Sequence, residues 1–294
     1  MDAIATNVEH PQGWSFQPSM EMLPSEFIAW QHLLESRVGI VIDIARRPFF
    51  QTHLTSRMRA LGINDYADYY RYVTRGVTGA REWADLLNHL TTQFTQFFRH
   101  LPSFETLEAY LSQRIQLDSE ATLSLWSVGC SSGEEAYSMA ITASETFRKA
   151  GLSERYGVFA TDISSHALNN ARLGIYASEK VKHLDSSLLD RYFSNHADGT
   201  FSIASALKAR LCCARLNVLE LGRTPISGMD VIFCQNLLIY FRRWLRKDIL
   251  NQLVSKLNPG GLLVIGVGEV TGWSHPDLIP VADERVLAFT RRVA

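Results

Sequence analysis

Residues 126–141, WSVGCSSGEEAYSMAI, decide the fold class, because an apolar segment there passes through a glycine-bounded turn into an amphipathic helix. Four short apolar runs have the character of buried strands: TLSLWSV, YGVFAT, MDVIFC and GLLVIGV. Helical stretches such as residues 134–149 and 243–257 lie between them. This alternation predicts an α/β domain with a mainly parallel sheet and helices on both faces.

Two further segments are predicted on the N-terminal side of this sheet. Residues 1–23 contain two prolines and show no clear period, which indicates an irregular extension. Across residues 24–115, apolar positions such as Phe27 and Trp30 recur at helical spacing. We therefore expect a small all-helical N-terminal domain before the α/β domain of residues 116–294.

A long excursion, residues 164–215, separates the second and third predicted strands. Its segment DGTFSIASALKARLCCARL predicts a small hairpin insertion near residues 189–215. The turn of that hairpin is expected at Asp198 and Gly199, a residue pair that favours tight β-turns.

The composition excludes several classes of protein. Basic and acidic residues nearly cancel, 29 against 30, so the overall charge of −1 favours neither nucleic acid nor an anionic membrane as partner. The four cysteines form no CxxC pair, which predicts neither a disulfide framework nor a metal site and fits a reducing compartment. There is no signal-peptide pattern and no apolar run of about 18 residues. We expect a cytoplasmic protein without membrane insertion.

The turn at residues 129–133 is the default ligand site, since doubly wound sheets bind ligands beyond the carboxyl ends of their strands. A phosphate-binding loop is disfavoured, because Glu134 and Glu135 stand where a lysine and a hydroxyl are needed. GCSSG does match the nucleophile elbow of serine hydrolases, with Ser131 as nucleophile and His275 as a later base. An elbow normally follows several strands, whereas this one follows only helices, so the hydrolase stays an alternative.

S-adenosylmethionine fits the turn better, because this cofactor carries a cationic amino group, a sulfonium and a ribose diol. Two carboxylates open the helix, and Asp162 in FATDIS follows the next strand, where an acid can accept from the diol. Each carboxylate alone has a structural explanation, as a complement to the helix dipole or as an N-cap. Their joint position at the carboxyl ends of consecutive strands favours the cofactor.

Five segments occur in the same order as in a known family: TTQFTQFFR, GCSSGEEAYSMAI, FATDIS, ARLGIY and VIFCQNLLIYF. The chain resembles CheR-type chemoreceptor methyltransferases in these motifs, over about residues 25–292. The resemblance implies a Rossmann-like S-adenosylmethionine-dependent methyltransferase sheet behind an all-helical domain. It also implies methylation of glutamate carboxylates on a chemoreceptor in chemosensory adaptation, for chemotaxis or pilus-based motility, with S-adenosylhomocysteine as product.

The resemblance further implies which residues lie near the cofactor. The glycine turn and Asn236 would line its methionine part, Asp162 with Ile163 its ribose and adenine, and the LNVLE segment its adenine. The residues implied in cofactor binding are Gln93, Thr95, Arg99, Gly129, Cys130, Ser131, Gly133, Glu134, Asp162, Ile163, Asn217, Val218, Gln235 and Asn236.

Arg99 and Tyr240 resemble the family's catalytic pair. A glutamate acceptor is already ionised near neutral pH, so it needs orientation and desolvation rather than a general base. The planar guanidinium of Arg99 suits a carboxylate, and the phenol of Tyr240 can donate to it.

In the family a basic helix faces the acidic methylation helices of a transmembrane chemoreceptor, and here PFFQTHLTSRMRALG presents His53, Arg57 and Arg59. Two positions depart from the family pattern: Gln93 stands where asparagine or histidine is common, and Gln235 where arginine is common. Because of Gln235, a non-catalytic scaffold that binds the cofactor or a receptor stays an alternative function. The hairpin region shows no match to the segment that binds a receptor's C-terminal pentapeptide, so pentapeptide-independent binding is expected.

Overall fold

The computed structural model describes residues 21–91 and 94–293. Residues 1–20 of the expected irregular extension lie outside this part, as does Gln93. Among the described helices, none has the length and apolar character needed to cross a membrane.

Four helices form the N-terminal region and share one apolar core. The indole of Trp30 lies at its centre, with ring centroids 6.3 Å from Phe50 and 5.4 Å from Tyr69. The predicted all-helical N-terminal domain is confirmed. The helices span Pro24–Val38 (α1), Arg47–Leu61 (α2), Tyr66–Thr74 (α3) and Gly76–Leu90 (α4).

A fifth helix, α5 (Leu101–Leu117), packs on the α/β domain instead. Its buried residues Leu107 and Leu111 belong to the same core as α6 (Glu134–Ala150), the helix that follows the glycine turn. Packing therefore divides the chain before α5, whereas the sequence pattern had placed the boundary near residue 115. Helical periodicity alone does not say which core a helix joins.

The α/β domain contains two sheets. Its strands span Leu123–Val128 (β1), Tyr156–Asp162 (β2), Ile175–Ala177 (β3), Phe193–Asn195 (β4), Thr200–Ile203 (β5), Leu211–Arg215 (β6), Met229–Cys234 (β7), Leu257–Ile265 (β8), Leu278–Pro280 (β9) and Leu287–Arg291 (β10). The remaining helices span Ser165–Leu173 (α7), Ser178–Val181 (α8), Ser186–Tyr192 (α9), Ser205–Lys208 (α10) and Arg243–Lys256 (α11).

The large sheet has the order β6-β2-β1-β7-β8-β10-β9. Strands β6, β2, β1, β7 and β8 are parallel, and β10 is antiparallel to both β8 and β9. The four predicted strands and the Rossmann-like class are confirmed. Strand β6 was missed because LCCAR is a short edge strand inside the segment predicted to form the hairpin insertion, and β9 and β10 because they are short and lie outside the parallel alternation.

Helices cover both faces of this sheet. Helices α5 and α6 pack with Leu125 and Val231 on one face, and α11 packs with Trp126 and Ile232 on the other. Because neighbouring strand residues point to opposite faces, both faces of β1 and β7 are apolar, as a covered parallel sheet requires.

The small sheet is antiparallel and has the order β3-β5-β4. Strands β4 and β5 form a hairpin around Asp198 and Gly199, where the turn was expected. The insertion differs from the expected span at both ends, since it begins with β3 at Ile175 and residues 211–215 belong to the large sheet.

Candidate functional site

One pocket opens at the carboxyl ends of β1, β2 and β7, and the helical domain closes it from the other side. This is the topological switch point of the sheet, since the chain leaves β1 towards β2 on one side and later returns to β7 on the other. The sequence-predicted residues that line it are Thr95, Arg99, Gly129, Cys130, Ser131, Asp162, Ile163, Asn217, Val218, Gln235, Asn236 and Tyr240.

The glycine turn is fixed to the end of β2. The backbone N–H groups of Gly129 and Cys130 both donate to the carbonyl of Thr161, at 2.8 and 2.9 Å. Ser131 has a φ of 50°, and its N–H donates to the Asp162 carboxylate at 2.9 Å. The turn and the acid that follows the next strand are therefore one hydrogen-bonded unit.

Asp162 keeps its carboxylate at the pocket wall. Its other oxygen accepts from the N–H of Ser164 at 2.8 Å. Burial raises the pKa of Asp162, and hydrogen bonds from Ser164 and Ser131 partly oppose this rise. Each oxygen retains a further lone pair, so the carboxylate can accept from hydroxyls of a ligand.

Gly133 and Glu134 do not line the pocket, contrary to expectation. The Glu134 side chain is fully buried, where Ser132 donates to it at 2.7 Å and the Lys180 ammonium lies 3.0 Å away. A Cβ at Gly133 would come within 2.8 Å of Ala171, so this glycine serves helix packing. Consecutive helical residues point about 100° apart, so only one of two adjacent glutamates can face the ligand.

Glu135 is the glutamate that faces the pocket. Ser127 donates to its carboxylate at 2.7 Å. Burial raises the pKa of Glu135 to about 7, the Ser127 hydrogen bond opposes the rise, and the charges of Glu269 and Arg99 add smaller effects of opposite sign. A cation beside Glu135 would favour its ionised form. The sequence did show this residue in GEE, but the resemblance pointed to its neighbour.

The expected catalytic pair lies on two segments that flank the pocket. We name residues 94–99 the arginine loop and residues 236–241 the tyrosine loop. Arg99 is exposed, donates to the carbonyl of Phe94 at 3.0 Å, and stacks over the Phe94 ring at 5.3 Å from its centroid. Tyr240 is partly exposed at the end of a short 3₁₀ turn. Both side chains line the same pocket.

Two predicted pocket residues also hold neighbouring elements: Asn217 joins the two domains, and Gln235 joins the end of β7 to α5. The side-chain amide of Asn217 donates to the carbonyl of Arg37, at the end of α1, at 2.8 Å. The amide of Gln235 donates to Ser103 on α5 at 2.8 Å and is buried. The glutamine thus has a packing role, which accounts for its presence without assuming a lost activity.

Glu269 is a functional candidate that the sequence analysis missed. It is only 2% exposed, and its carboxylate accepts from the backbone N–H groups of Asn236 and of Leu238, the latter at 2.7 Å. Asn236 has a φ of 58°, so the tyrosine loop needs this support. A Cβ at Gly266 would lie 1.6 Å from the Glu269 carboxylate, so only glycine leaves room for this carboxylate. The available signal was a glycine-rich turn with an acid directly after a strand, in GVGEV.

The tyrosine loop has a second support from α11 and a third from the helical domain. The guanidinium of Arg246 donates to the carbonyls of Phe241 at 2.8 Å and Glu269 at 2.7 Å. The N–H of Val41, just after α1, donates to the carbonyl of Tyr240 at 2.9 Å. The tyrosine loop is therefore hydrogen-bonded to three separate parts of the molecule: Glu269 after β8, Arg246 on α11 and Val41 after α1.

The serine hydrolase alternative is not supported. His275 lies beside Asp277 and Trp273, and no histidine is among the described residues that line the pocket. The buried Ser131 hydroxyl has no hydrogen-bond partner within the described part of the chain. An unpaired buried hydroxyl on the pocket wall has the character of a ligand contact rather than of an activated nucleophile.

S-adenosylmethionine fits these residues. The carboxylates of the described lining are Glu135 and Asp162, and its cation is Arg99. The orphaned Ser131 hydroxyl offers a further polar contact. Apolar side chains such as Val218 and Ile163 provide a surface for a planar base.

Arg57 is not a free basic residue, which corrects one expectation for the helix α2. Its guanidinium forms two hydrogen bonds to the buried carboxylate of Glu82, at 2.9 and 2.6 Å, and Tyr69 donates to the same carboxylate at 2.7 Å. His53 is half-buried against Phe49, and burial lowers its pKa. Of the three predicted basic residues, Arg59 is the exposed one.

Known proteins resemble the chain over most of its length. The family descriptions "CheR methyltransferase, SAM binding domain" and "CheR methyltransferase, all-alpha domain" match residues 93–286 and 25–91. A chemotaxis protein methyltransferase of Escherichia coli (strain K12) is 34% identical over 246 residues, 83% of this chain and 82% of that protein. Chemotaxis protein methyltransferase 1 of Pseudomonas aeruginosa is 30% identical over 255 residues, 85% of this chain and 92% of that protein.

Proposed function

The chain belongs to the CheR methyltransferase family and is an S-adenosylmethionine-dependent methyltransferase of the chemotaxis type, and from this premise we propose that it methylates glutamate side chains of a bacterial chemoreceptor. The observation that carries the proposal is the composition of one pocket. It has carboxylates for a cationic cofactor, Glu135 and Asp162, and donors for an anionic acceptor, Arg99 and Tyr240.

The cofactor supplies an electrophilic methyl group. Glu135 would hold the cationic amino end and Asp162 the ribose hydroxyls, while Val218 and Ile163 would contact the adenine. The raised pKa of Glu135, about 7, matches this role, because an ionised and unpaired carboxylate at that site would be unfavourable without a cation.

Arg99 and Tyr240 would act on the acceptor. A glutamate carboxylate is a weak nucleophile that is already deprotonated, so the protein must aim one of its oxygens and remove water from it. The exposed guanidinium of Arg99 can hold the carboxylate, and the hydroxyl of Tyr240 can donate a second hydrogen bond. No side chain is required to take up a proton in this reaction.

The partner would be the acidic methylation helices in the cytoplasmic part of a transmembrane chemoreceptor. Arg59 is the exposed cation of α2 that can contribute to their attraction. The intramolecular pair with Glu82 removes Arg57 from this role.

The test is to incubate the protein with methyl-labelled S-adenosylmethionine and receptor-containing membranes, and to count methanol released by mild alkali. We expect base-labile label with the wild type, and a fall of roughly hundredfold in the Arg99→Ala variant with cofactor affinity little changed. Arg71→Ala, which removes an exposed arginine paired with Asp68, is the matched control and should retain full transfer. Cofactor binding without any base-labile label would contradict the proposal and favour a non-catalytic scaffold.

A further inference from the structure

The arginine loop has little internal structure to hold Arg99. Residues 94–96 lie outside helices and strands, and Phe94 at the start of the loop is 69% exposed. Phe98, directly before Arg99, has a φ of 49°, a conformation that costs a non-glycine residue about 1 kcal/mol or more. The position of Arg99 must therefore be imposed by contacts from elsewhere.

Lys180, on the short helix α8 of the small-sheet insertion, provides the first of these contacts. Its ammonium lies 3.0 Å from the Glu134 carboxylate and also donates to the backbone carbonyl of Thr95. Glu134 is fully buried, whereas the Lys180 side chain is 37% exposed. A buried carboxylate is costly unless it is paired, so Glu134 holds the otherwise flexible lysine in place. Through Lys180 the start of α6 is joined to the arginine loop.

A second contact from the same insertion holds the backbone carbonyl of Phe97, two residues after Thr95. The ring nitrogen Nε2 of His183 lies 2.9 Å from the carbonyl of Phe97, so the imidazole donates there. The N–H of Phe98 donates to Ser138 on α6 at 2.9 Å. The backbone of the loop is thus fixed at Thr95, Phe97 and Phe98, immediately before Arg99.

Aromatic packing joins the loop to the small sheet as well. The buried ring of Phe97 lies 4.9 Å from Tyr176 on β3 and 5.4 Å from Phe193 on β4, both with edge-to-face geometry. The hydroxyl of Tyr176 donates to the carbonyl of Ser132 in the glycine turn at 2.8 Å. The small sheet therefore contacts both the arginine loop and the turn that faces the cofactor.

We propose that Lys180 is a positioning residue for methyl transfer: its bridge between buried Glu134 and the Thr95 carbonyl, supported by His183, lets the small-sheet insertion set the position of Arg99. This inference rests on the proposed role of Arg99. It also gives the buried Glu134 a function, since this carboxylate acts on the reaction through the lysine and not by contact with the cofactor.

The test compares Lys180→Met, the double variant Lys180→Met/Glu134→Gln, and the control Lys182→Met. The single variant leaves a buried carboxylate unpaired and can unfold, whereas the double variant removes that charge and keeps its shape. Lys182 is an exposed lysine two residues away whose salt bridge within the described residues is to Glu179, one helical turn earlier, so its loss controls for general charge effects. Transfer kinetics and hydrogen exchange of the backbone amides in residues 94–99 are measured for each protein.

In the double variant we expect kcat to fall at least about tenfold, because small displacements of a catalytic group have large effects on rate. The receptor KM should change by no more than about twofold, since the bridge acts on the rate through the position of Arg99. The amides of residues 94–99 should exchange faster, while Lys182→Met should match the wild type in every measurement.

Recovery of wild-type kcat and wild-type amide exchange in the double variant would overturn the inference, because Lys180 would then serve only to neutralise Glu134. Equal losses in Lys182→Met would overturn it too. A wild-type protein that transfers no methyl group defeats the proposed function instead, and the exchange measurement still decides whether Lys180 holds the loop.

Discussion

The two loops that flank the pocket are held in opposite ways. Donors from the small-sheet insertion hold the carbonyls of the arginine loop, and one of them, Lys180, is partly exposed. An acceptor at the end of the large sheet, the 2%-exposed carboxylate of Glu269, holds the N–H groups of the tyrosine loop. Elements with fewer buried contacts open more readily. The tyrosine loop is therefore the more rigid side of the pocket, and the arginine loop depends on a peripheral element.

The most damaging change to the rigid side should be Gly266→Ala. The added methyl would meet the Glu269 carboxylate, so the support of the tyrosine loop must move, and we expect a fall of roughly hundredfold in kcat. Gly268→Ala is the control, since a Cβ there meets nothing within 4 Å and adds only the strain of a positive φ. Kinetics and a thermal melt of both variants make the comparison. A rate within about twofold of wild type for Gly266→Ala would contradict the role of Glu269.

Tyr240→Phe tests the contribution of the tyrosine loop to the acceptor. Removal of one hydrogen bond to a charged group should lower kcat/KM roughly tenfold, less than the effect of Arg99→Ala. Tyr110→Phe serves as control, because the buried Tyr110 hydroxyl has no hydrogen-bond partner within the described residues. If the phenylalanine variant at residue 240 is fully active, Arg99 alone orients the acceptor.

The pKa of Glu135, about 7, depends on charges from both sides of the pocket. Below this pKa the carboxyl is neutral in the free protein, so affinity for the cationic cofactor should rise with pH between about pH 6 and pH 8, by up to tenfold per unit. Calorimetric titration should show this slope in the wild type and a weaker one in Glu135→Gln. An unchanged slope in that variant would exclude Glu135 as the titrating group.

The same titration distinguishes the two sides of the pocket. The positive charge of Arg99 lowers the pKa of Glu135, and the negative charge of Glu269 raises it. Arg99→Ala should therefore move the midpoint of the pH dependence to higher pH, and Glu269→Gln should move it to lower pH. Shifts in the same direction would show that the variants act through a change of structure and not through charge.

The smallest expected effect on transfer concerns α2 in the helical domain, where Arg57 is paired with Glu82 and Arg59 is exposed. Arg59→Met should raise the receptor KM about twofold to threefold at low salt and have no effect at high salt, because exposed charges are screened. Arg57→Met should leave the salt dependence unchanged but destabilise the fold by about 3 kcal/mol, since it removes the cation from the buried carboxylate of Glu82. Salt-dependent kinetics and chemical denaturation separate the two residues.

Sequence reasoning predicted four of the five parallel strands and the pocket edge, because apolar runs and glycine turns carry that information locally. Sequence reasoning did not identify which glutamate faces the ligand, since the choice between Glu134 and Glu135 depends on how α6 is rotated against the sheet. Arg57 shows the same limit: its partner Glu82 is far along the chain, so α2 alone presented it as a free charge. Lys180 and Glu269 act through backbone groups of distant loops, and no local pattern marks such contacts.

The hydrogen bonds at the end of α1 set a condition for exchanging parts between relatives. Asn217 donates to the carbonyl of Arg37, and the N–H of Val41 donates to that of Tyr240. Between them Gly39, with a φ of 74°, lies so close to Phe241 and Leu245 that any Cβ would come within 2.9 Å of them. The helical domain therefore cannot be exchanged between relatives by itself. A chimeric enzyme needs residues 37–41 and the tyrosine loop from the same parent to keep Tyr240 in place.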